Sequence, residues 1–128
     1  MSYYFNKTLA LPFDEAVDRV KAELKKDGFG ILTEIDVEKT LKEKLGVCFR
    51  PYRILGACNP PFAYKALLAE DKIGTMLPCN VIVQELAPGR VEVAAIDPLA
   101  SMAAVQNPGL AAVGVEVREK LKAAVERL

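Results

Sequence analysis

Apolar positions along this chain recur with two different periods, and the period changes at proline, glycine or short polar residues. Tyr3, Phe5 and Leu9 share one side of residues 3–9, the alternation expected of a first strand. Pro12 then opens a helix, on which Phe13, Ala16, Val17, Val20 and Leu24 recur at three- and four-residue steps and form one stripe. Asp14 and Glu15 fall in its positive first turn and Lys25 and Lys26 in its negative last turn, while Gly28 supplies the stop. Alternation returns at Phe29, Ile31, Thr33 and Ile35, which predicts a second strand. Asp36 then caps a short helix over 37–45, with Val37, Leu41 and Leu45 as its weak apolar side and Glu38–Lys42 and Lys39–Glu43 at ion-pair spacing. So charged a helix is expected at the surface.

Pro51 introduces a third strand over 51–58. Asn59 as N-cap and Pro60 at the first helical position then start a helix that runs to about Ala69 and ends near Gly74. Cys79 to Leu86 and Arg90 to Ile96 read as a hairpin closed by Ala87-Pro88-Gly89. Asp97-Pro98 and Asn107-Pro108 repeat the cap-plus-proline signal. The final helix carries Leu110, Val113, Gly114, Val117, Leu121, Ala124, Val125 and Leu128 on one stripe. Strand, helix, four further strands interrupted by short helices and a long last helix make an α+β fold with a mostly antiparallel sheet. The first and last helices are expected on one sheet face, with the other partly open.

A chain of 128 residues matches one domain, taken as 1–128, and is long enough to bury a sizeable core without staples. Seventeen basic residues balance seventeen acidic ones, so the basic stripe that phosphate binding demands is missing and nucleic acid is not expected as a partner. No apolar run approaches a membrane span and the first residues do not resemble a signal peptide, so a soluble, cytoplasmic protein is expected, without membrane partners. The absence of histidine removes Ser-His-Asp and Cys-His catalysis and histidine metal sites. Three cysteines without a CxxC spacing make a poor zinc set, so neither a metal nor a cofactor is expected.

Three motifs bear on chemistry. Gly28-Phe29-Gly30 has Thr33 where a dinucleotide fingerprint needs its third glycine, and it follows a helix instead of opening one, so a helix stop explains it better. Arg50 and Arg53 flank Tyr52 as a candidate carboxylate or phosphate clamp, but their opposite strand parity sends them to different faces. The third is a near mirror image: Cys58-Asn59-Pro60 leaves the third strand and Pro78-Cys79-Asn80 enters the fourth. If those strands are antiparallel neighbours, Cys58, Asn59, Cys79 and Asp97 gather at one end of the sheet. A thiol there, near the start of the Pro60 helix, meets a partial positive charge that favours thiolate. The competing reading makes the cysteines small core hydrophobes and Asn59 and Asp97 helix caps.

Gly28 to Asp36, Phe49 to Pro60 and Leu77 to Val81 together resemble the bacterial family catalogued as domain of unknown function 302, over nearly the whole chain. The resemblance implies a β-α-β(4)-α core related to the TATA-binding-protein-like fold, decorated by extra short helices and forming dimers. It carries no established activity. Its recurring positions match Asp36, Arg53, Asn59, Pro60, Pro78, Cys79, Asp97 and Pro98. The expected function is a homodimeric module that binds a small molecule or a protein partner, with Arg53, Cys58, Asn59, Cys79 and Asp97 as candidate ligand-binding residues. The rival is a thiol-dependent redox or transfer enzyme using Cys79 and Cys58, with Asp97 or an arginine as polar partner.

Overall fold

The computed structural model describes residues 2–128. Strands β1 (Tyr4–Leu9), β2 (Gly30–Asp36), β3 (Tyr52–Cys58), β4 (Cys79–Ala87) and β5 (Arg90–Ile96) form one sheet in the order β1-β5-β4-β3-β2. Every neighbouring pair is antiparallel. Helix α1 (Phe13–Lys26) joins β1 to β2, α2 (Val37–Leu45) joins β2 to β3, and α3 (Pro60–Ala69) with a 3₁₀ segment (Asp71–Met76) joins β3 to β4. After the β4–β5 hairpin come the one-turn α4 (Pro98–Ser101) and the long α5 (Pro108–Glu126). The chain therefore runs β-α-β(4)-α with short helices added, an α+β fold.

Two packed clusters result. In the main core, Val17, Val20 and Leu24 of α1 and Val117, Leu121, Ala124 and Val125 of α5 cover one sheet face. The sheet presents alternate residues to them: Leu55 and Ala57 of β3, Val81 and Val83 of β4, Val91, Val93 and Ala95 of β5. Each fully buried Val or Leu contributes about 1.5–3 kcal/mol of transfer free energy, so this ladder is the main stabilising feature. A smaller cluster joins Ala66 of α3, Ile73 of the 3₁₀ segment and Leu110 of α5, with Leu77, Met102, Val105 and Val113 against it. The other sheet face carries Tyr4, Ile82, Ile96 and Tyr52 with no helix over them. Across it runs a polar chain in which Asn6 and Gln84 both donate to Glu92, and Arg50 donates to Gln84 at 2.7 Å.

Helix α1 ends in a Schellman motif. Phe29 N–H donates to Leu24 O and Gly28 N–H to Lys25 O, each at 3.0 Å, with Gly28 at φ +87° and Phe29 and Leu24 both in the core. Strand β2 then departs from simple alternation. A bulge between Ile31 and Thr33 puts Ile31 opposite Ala57 but Thr33 opposite Gly56, and from there Glu34 and Asp36 take the helix-covered side while Thr33 and Ile35 take the open one. Ile31 and Ile35 therefore do not share a face as strict alternation predicts. Helix α2 buries no residue and is capped by Asp36, which accepts from Lys39 N–H at 3.0 Å. Its Glu38–Lys42 and Lys39–Glu43 spacings do not close, since the ion pairs Lys21, Lys26 and Lys72 make lie elsewhere.

Gly56 marks where the sheet is tightest, because a Cβ there would run into Thr33 Oγ1 and the Pro78 ring. Gly56→Ala is expected to cost about 2 kcal/mol, the scale of overpacking. Gly30→Ala, where a Cβ meets nothing within 4 Å, is expected to stay within about 0.5 kcal/mol of the parent. Urea unfolding of the two variants checks this; equal midpoints would refute the close packing at Gly56.

Candidate functional site

The return of β4 beside β3 sets the geometry of the corner. Ala57 pairs with Cys79, and Val81 pairs with Ala95 on the next strand. The end of β3, the start of β4 and the end of β5 thus lie together at one end of the sheet. Helix α3 and the 3₁₀ segment leave from this end and come back to it, and the first half of α5 packs against them.

Between these helices and the sheet end lies a cavity of about 320 Å³. It falls on the seam between the two clusters: Phe29, Ala57, Cys79 and Val117 of the main core meet Ala66, Leu77, Met102 and Val113 of the smaller one. Cys58, Asn59 and Pro78 line it from the strand ends and Pro98 from α4. Its walls are almost wholly apolar, and no side chain lining it is charged.

The sequence-derived candidates have separate fates here. Cys58, Asn59 and Cys79 share the cavity wall. Asn59 occupies the N-cap position of α3 but does not cap it: its Nδ2 donates to Asp27 O at 3.0 Å, and the side chain packs against Gly28. It thereby ties the α1–β2 turn to the β3–α3 junction and wins its buried place by that bond. Asp97 is a cap, accepting from Leu99 N–H at 3.0 Å, and it also accepts from Arg118 Nε at 3.2 Å. Both carboxylate oxygens are engaged, and its neighbour Pro98 reaches the cavity instead.

Arg53 stands apart. Five residues back along β3, about 16 Å at strand rise, it bonds Glu34 at 2.6 Å, lies 3.7 Å from Asp36 and stacks 5.7 Å from the Phe13 ring centroid. Glu34, held also by Lys21 at 2.6 Å, has its carboxyl below the usual range, chiefly through that lysine. Arg50 points to the opposite face, over the Phe49 ring, so the two arginines form no clamp.

Sequence reading missed the helical half of the wall: Phe62, Ala63 and Ala66 of α3, and Val113, Gly114 and Val117 of α5. The signal was present in α3. Pro60 to Ala69 contains a single charge, Lys65, and exposes Tyr64, Leu67 and Leu68. A surface helix apolar on all sides has more to cover than one core contact.

The family model described as "Domain of unknown function DUF302" matches residues 5–128. The chain belongs to that family. A crystal structure of an uncharacterized conserved protein DUF302 from Bacillus stearothermophilus superposes with a TM-score of 0.90 at 26% identity, covering 99% of this chain and 98% of that one. No curated protein matches.

In this DUF302 chain Cys79 does not have the environment that a nucleophile needs. Burial pushes the Cys79 thiol up to about 11, and the neighbouring Cys58, as a second potential negative charge, adds to the rise. The positive end of α3 does not offset that desolvation. Among the described residues no group of three His, Cys, Asp or Glu is placed to hold a metal, and no helix is long and apolar enough to cross a membrane.

The raised thiol makes a stability prediction. With the folded-state pKa above the ordinary 9.0, the contribution is whole below pH 9 and is lost as pH climbs toward 11. Between pH 8 and pH 10.5 the wild type is expected to lose about 2 kcal/mol more than Cys79→Ala, by linkage. Urea unfolding of both proteins at the two pH values measures it, and parallel losses would show that Cys79 is not desolvated.

Proposed function

We propose that this DUF302 chain is a cytoplasmic homodimeric binding module, folded as one domain, whose ligand is a small, largely apolar molecule held in the seam cavity. The observation that carries the reading is the cavity itself. Its 320 Å³ is at the lower end of ligand-site volumes, its walls are apolar, and Cys58 and Asn59 stand in it as the few polar groups. The balanced charge argues against nucleic acid or a membrane surface as the partner.

The thiol-enzyme alternative is weaker, because a thiol at about 11 supplies almost no thiolate at neutral pH. The homodimer is supported by the uncovered sheet face, where Tyr4, Tyr52, Ile82 and Ile96 stand beside a polar chain whose members satisfy one another. Light scattering at micromolar concentration is expected to give twice the chain mass, and the single-chain mass would end the dimer proposal.

The test of the cavity uses 1-decanol as an uncharged probe. Decanol is expected to raise the melting temperature of the protein and to slow alkylation of Cys58, which lines the cavity. Ala63→Trp, which places an indole at the wall, is expected to remove both effects while circular dichroism stays unchanged. If decanol neither stabilises the wild type nor protects Cys58, the cavity is not a ligand site.

A further inference from the structure

Two lysines meet the cavity lining at one residue. Phe62, part of the lining, has Lys65 Nζ 5.6 Å from its ring centroid on one side of the sequence and Lys120 Nζ 6.0 Å from it on α5. Both ammonium groups converge on one ring from different helices. The lysines that form ion pairs are Lys21, Lys26 and Lys72, while Lys65 and Lys120 pair with no carboxylate among the described residues. Of the nearby acids on α5, Glu119 is taken by Arg118 at 3.1 Å, and Glu116, one turn before Lys120, is exposed and beyond ion-pair distance. Both charges thus stand against the cavity-lining Phe62 ring without a carboxylate partner among the described residues.

We propose that the ligand is an anionic amphiphile, a medium-chain carboxylate whose tail fills the seam and whose head group lies between Lys65 and Lys120. This rests on the cavity being a ligand site. The volume suits the tail: at about 30 Å³ per water-sized group, 320 Å³ admits about ten such groups. The apolar walls reward each buried methylene, and a carboxylate at the rim gains two charge-assisted partners without entering the low-dielectric interior. Leu67, part of the lining and exposed, extends the apolar path to the surface. Lys65 and Lys120 also make cation–π contact with Phe62, so the test separates charge recognition from packing.

Titration calorimetry of the full chain compares decanoate, 1-decanol and decylamine at one pH and low salt. Decanoate is expected to bind about tenfold more tightly than decanol and decylamine more weakly than either, with the decanoate advantage shrinking as salt is added. Lys65→Gln/Lys120→Gln is expected to erase the decanoate preference and leave decanol binding unchanged, which also shows that the variant is folded. Equal affinities for decanoate and decanol in the wild type, or a preference that survives in the double variant, would overturn the charge assignment while leaving the cavity a ligand site. Binding of none of the three would overturn both.

Discussion

The antiparallel pairing of β3 with β4, with Ala57 opposite Cys79, is the constraint from which the rest of the candidate site follows. Because β4 starts where β3 ends, the intervening chain has no sheet length to cross. Helix α3 and the 3₁₀ segment leave and return at the same end, so they stack beyond the end of the sheet instead of over its face. Helix α5 then serves two cores: Leu110 packs with Ala66 and Ile73, while Val117, Leu121 and Ala124 continue over the sheet.

Two cores sharing one helix leave a seam, and the residues on that seam are too small to fill it. Ala57, Ala63, Ala66 and Gly114 face the space where larger side chains would close it. A Cβ at Gly114 would stand 3.1 Å from Leu99 Cδ2, so a larger residue there would have to displace that methyl. The cavity is therefore a product of packing geometry, and it places Cys58 and Cys79 at an apolar wall, where burial raises the Cys79 thiol. The same desolvation that weakens a thiol nucleophile strengthens the case for an apolar ligand.

The polar residues near this corner serve the frame. Asn59 ties the Asp27–Gly28 turn to the end of β3, and Asp97 spends one oxygen on α4 and the other on Arg118. At the far end of β3, Arg53 closes a network with Glu34, Asp36 and the Phe13 ring that anchors β2 to the start of α1. Each of these side chains is accounted for by contacts that hold elements together, whereas Lys65 and Lys120 meet the Phe62 ring and pair with no carboxylate among the described residues.

Much of the frame could be read from the chain alone. The α1 stripe from Ala16 to Leu24, the α5 stripe from Leu110 to Leu128, the Gly28 stop and the Pro88-Gly89 turn are short-range features, set by side-chain period and backbone conformation within a few residues. The candidate corner was visible for the same reason, since the Cys58-Asn59-Pro60 and Pro78-Cys79 boundaries are local signals. What the tertiary structure decided depends on partners distant in sequence. The bulge that turns Glu34 toward Lys21 arises from pairing with β3. Asn59 gives up its cap for a carbonyl 32 residues earlier. Arg53 is sent to another site, and the cavity itself lies where α3, α5 and three strand ends happen to meet. Periodicity determines which face of each element is buried, but an unfilled volume belongs to no element, and only the docking of several can create it.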